Sequence, residues 1–328
     1  MTSATPYADL TPDVVLDAVD SVGHVTDGRI LALNSYENRV YQLGLEDGGF
    51  VVAKFYRPER WTDAAILEEH AFALELCEHE IPVVAPLVAG DGATLHEHED
   101  FRFAVFPRQG GRWPELSRSE EREWMGRFLG RIHAVGARAA FEHRRAYSTG
   151  WLGHDAAATI LASEWLPEHL TESYRTVTEQ LLARIEQQLD EIGEIRMSRI
   201  HGDCHPGNVL WTDSGPHFVD LDDCITGPAV QDLWLFLSGS REECALQLKD
   251  LLEGYGQFSD FDYRELRLIE ALRGLRMLHH TAWIARRWLD PAFPRAFPWF
   301  EDNKYWEEHV LALKEQLAAL EEPPLEVY

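Results

Sequence analysis

His201-Gly202-Asp203-Cys204-His205-Pro206-Gly207-Asn208 is followed by the strand-like Val209-Leu210-Trp211 and then by His217-Phe218-Val219-Asp220-Leu221-Asp222-Asp223. Two acidic sites thus flank one short hairpin. Phosphoryl transfer needs an acceptor for the proton of the attacking hydroxyl, and oxygen ligands for a magnesium ion that bridges the phosphates. This segment offers both. Asp203 is the expected proton acceptor, Asn208 and Asp220 are the expected magnesium ligands, and Asp220 counts with Asp203 in the catalytic set. Two other readings compete. The same polar residues can form a turn that makes only capping hydrogen bonds. His201, Asp203, His205 and His217 also include zinc-ligand types at close spacing, as a zinc hydrolase would use. Asn208 weighs against zinc, because an amide oxygen suits a hard cation such as magnesium better.

Outward from this segment, the chain divides by composition. Thr11-Pro12-Asp13 supplies an N-cap, a proline at the first helical position and an acidic first turn for a short opening helix, with Gly23 beyond its end. Residues 30–56 are rich in Val, Tyr, Phe and Leu and are interrupted by Asp47-Gly48-Gly49, so they read as strands joined by a tight turn. Residues 64–79 carry Ile66, Leu67, Phe72, Leu74 and Leu76 among charges, a helical pattern, before Ile81-Pro82-Val83 returns the chain to extended structure. Residues 101–106 make another apolar strand. At Pro107-Arg108-Gln109-Gly110-Gly111 the composition changes, and almost everything beyond reads as helix. Trp124, Phe128, Leu129 and Ile132 share one face, and amphipathic stretches recur at about 171–192, 241–255 and 264–289. The expected fold is α+β and two-lobed: a small β-rich lobe over residues 1–106, a hinge at 107–111 and a helical lobe over 112–328.

Composition narrows the function classes. The 328 residues are 45% hydrophobic and 11% aromatic, enough to build a real core. With 56 acidic and 30 basic side chains, the formal charge is −26, a field that repels nucleic acid and anionic membranes. Neither is an expected partner. The charge serves solubility or attracts a basic protein substrate, and charge alone does not choose between them. Cys77, Cys204, Cys224 and Cys244 form no CxxC pair and read as reduced thiols. No basic start leads into an apolar run, and no stretch approaches the ~18 apolar residues that a membrane helix needs. A soluble, cytoplasmic monomer is expected.

The form His-Gly-Asp-x-His-Pro-Gly-Asn followed by a hydrophobic strand ending in Asp resembles the signature of the aminoglycoside phosphotransferase and choline kinase superfamily. It is similar, too, to the catalytic loop of protein kinases, with Gly202 replacing the Arg and Asp220 matching the metal-binding Asp of the next strand turn. Upstream, Lys54 lies in Phe50-Val51-Val52-Ala53-Lys54-Phe55, among apolar neighbours, and suits contact with the α and β phosphates of ATP. A strand lysine alone is more often a snorkelling side chain. Its spacing ahead of a helix carrying Glu68 and Glu69 fits the Lys to Glu pair of kinases, and counting back from Ile81-Pro82-Val83 favours Glu69, with Glu68 second. No GxGxxG occurs. Residues 33–41 are therefore the candidate hairpin over the phosphates, with Ser35 and nearby amides as contacts. From spacing alone an ordinary polar turn reads as well, and its place before Lys54 tips the balance.

The match extends further. Residues 33–41, Lys54-Phe55-Tyr56-Arg57-Pro58-Glu59-Arg60-Trp61, the catalytic segments and Asp290-Pro291-Ala292-Phe293-Pro294 together resemble the bacterial stress response kinase A family, over nearly the whole chain. That resemblance implies a cytoplasmic serine/threonine protein kinase of choline-kinase-like fold that uses ATP and Mg2+, acts on a protein hydroxyl in stress survival, and is open to autophosphorylation. It carries over Asp203 as proton acceptor, Asn208 and Asp220 as magnesium ligands and Ser35 as an ATP contact. The superfamily pattern makes Asp232 a buttress of the catalytic loop.

Other features stay open at this point. Asp222 and Asp223 either support the metal site electrostatically or are solvated or capping residues. Residues 264–295 mix Arg267, Arg273, Arg276, Arg286 and Arg287 with Trp283 and Trp288. They read first as helical core with snorkelling arginines and internal salt bridges, and second as a wall of the acceptor cleft. Cys204 and Cys224 flank the site, so oxidation there would switch it off, although packed thiols are commoner. A kinase of a sugar, amino alcohol or aminoglycoside uses the same loop, and a non-catalytic binding module need not keep Lys54, Asp203, Asn208 and Asp220 together.

Overall fold

The structure, a computed structural model, describes residues 6–327. Helix α1 (Pro12–Ser21) begins where the Thr11 side chain accepts a hydrogen bond from the Val14 N–H, with Pro12 at a position whose own N–H would go unused. Strands β1 (Thr26–Ala32), β2 (Arg39–Leu45), β3 (Phe50–Phe55), β4 (His96–His98) and β5 (Phe101–Pro107) form one antiparallel sheet in the order β1-β2-β3-β5-β4. The β2–β3 turn is tight because Gly48 adopts φ +87° and the Asp47 carboxylate accepts from the Gly49 N–H at 2.8 Å. Helix α1 and the sheet enclose Val15, Val19, Leu43, Phe55 and Phe103. Helix α2 (Asp63–Glu78), capped by Thr62, buries Ile66, Phe72 and Leu76 together with one acid, Glu69. Strand β3 is central, paired with β2 on one side and β5 on the other, and this holds Lys54 in a rigid, buried position.

Beyond β5 the chain is mostly helical. Helices α3 (Ser119–Gly136), α4 (Asp155–Leu161) and α5 (Thr171–Ile192) lead to β6 (Ser198–Ile200), β7 (Val209–Thr212), β8 (Gly215–Phe218) and β9 (Ile225–Gly227), then to α6 (Gln231–Trp234), α7 (Arg241–Tyr255), α8 (Ile269–Arg287), α9 (Ala292–Ala296) and α10 (Asn303–Ala319). Two short ribbons, β6 with β9 and β7 with β8, carry the chemistry-bearing segments between them. The stretches expected to be helical at 171–192 and 241–255 are α5 and α7. The stretch at 264–289 is divided: Tyr263–Leu268 winds as 3-10 turns from an Asp262 cap before α8 begins. Strand β4 carries no apolar alternation, which hides it in the sequence. Val83 bridges Phe218, and Arg112 bridges Trp211, so both ends of the β5 region are tied to the β7–β8 ribbon.

Helices α3 and α7 touch backbone to backbone. A Cβ on Gly126 would lie 1.9 Å from the Leu251 carbonyl oxygen, one on Gly130 would lie 2.6 Å from that of Tyr255, and one on Gly254 would lie 1.9 Å from that of Glu123. Only hydrogen fits there. Because backbone cannot rotate aside as a side chain does, Gly126→Ala is expected to cost about 3 kcal/mol or more, read as a lower denaturant midpoint in urea unfolding.

Burial also sets the acid sensitivity of the fold. His70, 1% exposed between the Tyr56 and Thr94 hydroxyls, has its pKa lowered to about 3 by burial, and His309 is lowered to about 4 for the same reason. As pH falls through 6.5 the unfolded chain protonates these imidazoles first, so their stabilisation is present at neutral pH and drains away from 6.5 toward those folded values. Glu265, raised to about 7 by burial, works in the opposite sense between 4.5 and 7. His279 and His280, each lowered to about 4 with burial as the leading cause, act with His70 and His309, and the histidines together outweigh the acid. Unfolding free energy is expected to fall between pH 6.5 and 5 by about 1 kcal/mol or more, and His70→Gln is expected to flatten that slope in urea titrations at several pH values.

Candidate active site

The loop after β6 is held by a buried carboxylate. Asp232, at the start of α6 and fully buried, accepts from the His201 and Gly202 N–H groups at 2.8 Å each and from His133 Nε2 of α3 at 3.0 Å. The Tyr255 hydroxyl lies 3.1 Å from the other ring nitrogen of His133 and fixes the ring. Gly202 has φ +84°, and a Cβ there would sit 2.2 Å from the Asp223 carbonyl oxygen, so the two acidic segments approach closely only across a glycine. Asn208 Nδ2 donates to the Asp203 carbonyl at 3.0 Å, which leaves its Oδ1 without a role inside the loop.

Asp203 ends up between two donors, one of them a guanidinium. Arg276 Nη1 of α8 lies 2.7 Å from Oδ1, and His205 Nε2 lies 3.5 Å from Oδ2. Burial would raise this carboxyl, but the His205 hydrogen bond and the Arg276 guanidinium outweigh it and hold Asp203 well below the usual carboxylate range. Asp220 adopts a left-handed backbone, φ +59°, at the end of the β7–β8 ribbon, and about half of its side chain is exposed.

Lys54 reaches this group from β3. Its Nζ lies 3.2 Å from Glu69, 3.1 Å from Asp220 and 3.1 Å from Asp222. Burial alone would push the ammonium down; Asp222, Glu69 and Asp220 together hold it well above its ordinary value. Glu68, the second candidate partner, faces away and accepts from the backbone N–H groups of Glu142, His143 and Arg144. Ser35, in the β1–β2 loop, donates to the Asn38 carbonyl at 3.2 Å.

Several neighbours were left open or without a role by the sequence reading. Asp222 is neither solvated nor a simple cap: it is 2% exposed and bonded to Asn38 Nδ2 at 3.0 Å, to Arg60 and to Lys54. Asp290 is equally buried and takes Arg57 at 2.5 Å and Arg39 at 2.7 Å. Glu37 is held by Arg57 and Arg287, each at 3.0 Å, and by the Trp283 indole N–H at 2.5 Å. Arg57, Arg60 and Asp290 all lie within the family-like stretches, which was the available signal. The arginines of residues 264–295 divide between the two readings: Arg267 pairs with Glu191 of α5 and Arg273 with Glu270 one turn away, whereas Arg276 and Arg287 reach the site and its covering loop.

Two of the alternative readings lose support on this geometry. Cys204 and Cys224 are fully buried, and burial pushes both thiols up, Cys224 to about 12, so a reactive thiolate is disfavoured and they pack as small apolar groups. His201 donates from Nε2 to the Val219 carbonyl at 3.0 Å, and among the described residues no group of three or more His, Cys, Asp or Glu side chains converges as a metal-ligating set. The zinc hydrolase reading has no centre to use. Oxygen donors suit magnesium instead: the free amide oxygen of Asn208 and the half-exposed carboxylate of Asp220, beside a fixed ammonium for phosphate.

The sequence matches the phosphotransferase enzyme family over residues 29–269. Stress response kinase A of Escherichia coli strain K12 is 45% identical over 325 residues, covering 99% of this chain and 98% of that protein. The serine/threonine protein kinase RdoA of Salmonella typhimurium strain LT2 is 41% identical over the same span. An amicoumacin kinase in complex with AMP-PNP, Ca2+ and its ligand superposes with a TM-score of 0.71 at 20% identity, over 92% of this chain and 93% of that one. The choline kinase LicA from Streptococcus pneumoniae gives 0.61 at 13%, over 94% and 98%. The fold is thus the two-lobed α+β architecture of choline kinases. With Lys54, Asp203, Asn208 and Asp220 gathered in one cleft and relatives matching end to end, the chain belongs to the phosphotransferase enzyme family and, within it, to the stress response kinase A family.

Proposed function

We propose that this phosphotransferase is an ATP- and magnesium-dependent serine/threonine protein kinase of the cytoplasm, acting in stress response, with residues 107–111 as the hinge between lobes 1–106 and 112–328. The observation that carries the catalytic reading is the convergence of Lys54 and Asp220 at 3.1 Å beside a loop that presents Asp203 and Asn208. The protein acceptor rests on the relatives named as stress response and serine/threonine kinases, which match over their whole length.

In this mechanism Lys54 holds phosphate oxygens, and Ser35 with the β1–β2 loop covers them. Asn208 and Asp220 would hold magnesium, which would supply positive charge against the phosphates. Asp203 accepts a hydrogen bond from the acceptor hydroxyl and takes its proton as the phosphoryl group leaves. A strong base is not needed, because bond breaking leads in a loose transition state and the task is orientation. That agrees with a carboxylate kept ionised by Arg276 and His205.

Labelled ATP tests the assignment, offered with protein hydroxyls, with the chain alone and, in parallel, with an amino alcohol, a sugar and an aminoglycoside. Label on protein supports the proposal; label only on a small acceptor keeps the mechanism and replaces the substrate class. Asp203→Asn is expected to lower the transfer rate by about a thousandfold or more while nucleotide binding persists, measured by single-turnover transfer and calorimetry. Asn208→Ala is expected to raise the magnesium concentration for half-maximal activity by at least about tenfold, read from a metal titration at fixed ATP.

A further inference from the structure

The chain carries a net charge of −26, yet the surface beside Asp203 is cationic. Arg276 binds Asp203 while 42% of its own side chain stays exposed. One turn along α8, the His279 ring meets Trp151 edge-on at 5.2 Å. Arg145 lies over the same indole at 5.5 Å, and over Trp61 at 5.9 Å. Two turns past His279, Arg286 bonds only to the Thr159 hydroxyl and the Asp155 carbonyl oxygen. Arg145 and Arg286 are both exposed, and among the described residues neither forms an ion pair with a carboxylate.

Most nearby acids are already engaged, although the exposed Asp155 carboxylate attracts Arg286 without forming an ion pair. Asp203 is taken by Arg276, Asp222 and Asp223 by Arg60, Glu68 by three backbone N–H groups and Glu186 by His154. The electrostatics agree: burial, then Arg286, Arg276 and Arg60, lower the His279 pKa to about 4, so the imidazole adds no charge of its own. Two arginines without an ion pair, Arg145 over the Trp151 indole and Arg286 on the helix that carries Arg276, are a ready site for carboxylates or other anions. A permanent cation close to the attacking hydroxyl, as in choline, would be placed against Arg276 and repelled.

We propose that the face formed by Arg145, Trp151, Arg276 and Arg286 is the acceptor-docking surface and that it selects a Ser or Thr flanked by acidic residues. This rests on the protein kinase reading above. Arg276 belongs to the catalytic cleft, whereas Arg145 and Arg286 bind the flanking acids without touching the reacting atoms.

The test uses two peptides of equal length with one serine, one flanked by Asp and Glu and the other by Lys and Arg, with the full chain, Mg2+ and ATP. The acidic peptide is expected to show a kcat/KM about tenfold or more above the basic one, an advantage that shrinks with added salt. The double variant Arg145→Gln, Arg286→Gln is expected to raise KM for the acidic peptide about tenfold, with kcat and peptide-free ATP hydrolysis unchanged. Arg145→Glu with Arg286→Glu is expected to reverse the preference. Peptides labelled without a charge preference, or an unchanged KM in both double variants, would overturn this inference and leave the kinase reading standing. A wild-type chain that labels a small acceptor and neither peptide would overturn the protein kinase reading, and this inference with it.

Discussion

The buried carboxylate of Asp222 is the interaction on which the closed arrangement depends. Removing a charged group from water costs several kcal/mol, and only cations and hydrogen-bond donors held at contact distance offset that cost. Asp222 has them from the β-rich lobe: Lys54 from β3, Arg60 after β3 and Asn38 from the β1–β2 loop. Burial would raise its pKa, but Arg60, Lys54 and Arg144 outweigh burial and keep it ionised. The fully buried Arg144 side chain fixes the segment from behind by donating to the carbonyls of Leu221, Asp222 and Cys224. Losing either side leaves charge stranded in the interior, at about 3–5 kcal/mol.

The same logic is repeated at the other junctions between the lobes. Asp290 is closed by Arg39 and Arg57, and Glu37 by Arg57, Arg287 and the Trp283 indole, while Tyr36 packs against Phe297 at 5.3 Å. The β1–β2 loop thus has one side on the helical lobe and Ser35 on the other side of the same turn. The β1–β2 loop is therefore held in place by contacts to both lobes. An ion-pair seam suits this role better than an apolar one, because its geometry is specific and its strength depends on solvent access.

Beneath the cleft the support is rigid. The glycine contacts between α3 and α7 bring the backbones close enough for His133 on α3 and Tyr255 on α7 to meet, and their pairing orients the His133 contact to Asp232. Asp232 then spends both carboxylate oxygens on consecutive N–H groups of the catalytic loop. Helix packing thereby sets where Asp203 points, through a chain of hydrogen bonds with no slack in it.

Much of this was legible from residue order alone. The loop with Asp203 and Asn208, the strand with Lys54, the helix with Glu69 and the β-then-α division depend on local periodicity, turn chemistry and spacing, which act between near neighbours in the chain. For Asp222 the residue order left support of the metal site and solvation equally open, and for Glu37, Arg60 and Asp290 it gave no partner, because the partners lie far away in sequence, as with Arg57 and Asp290. Whether a charge is solvated or buried is decided by what folds against it, and so is whether an arginine snorkels or faces a cleft. Sequence by itself determined the fold class and the family, and it singled out the candidate groups of the site, whose requirements are local. Only the tertiary structure decided which charges pair across the lobes, why the two cysteines are inert, and where an unpaired cationic face remains, because burial and long-range contact are properties of the assembled chain.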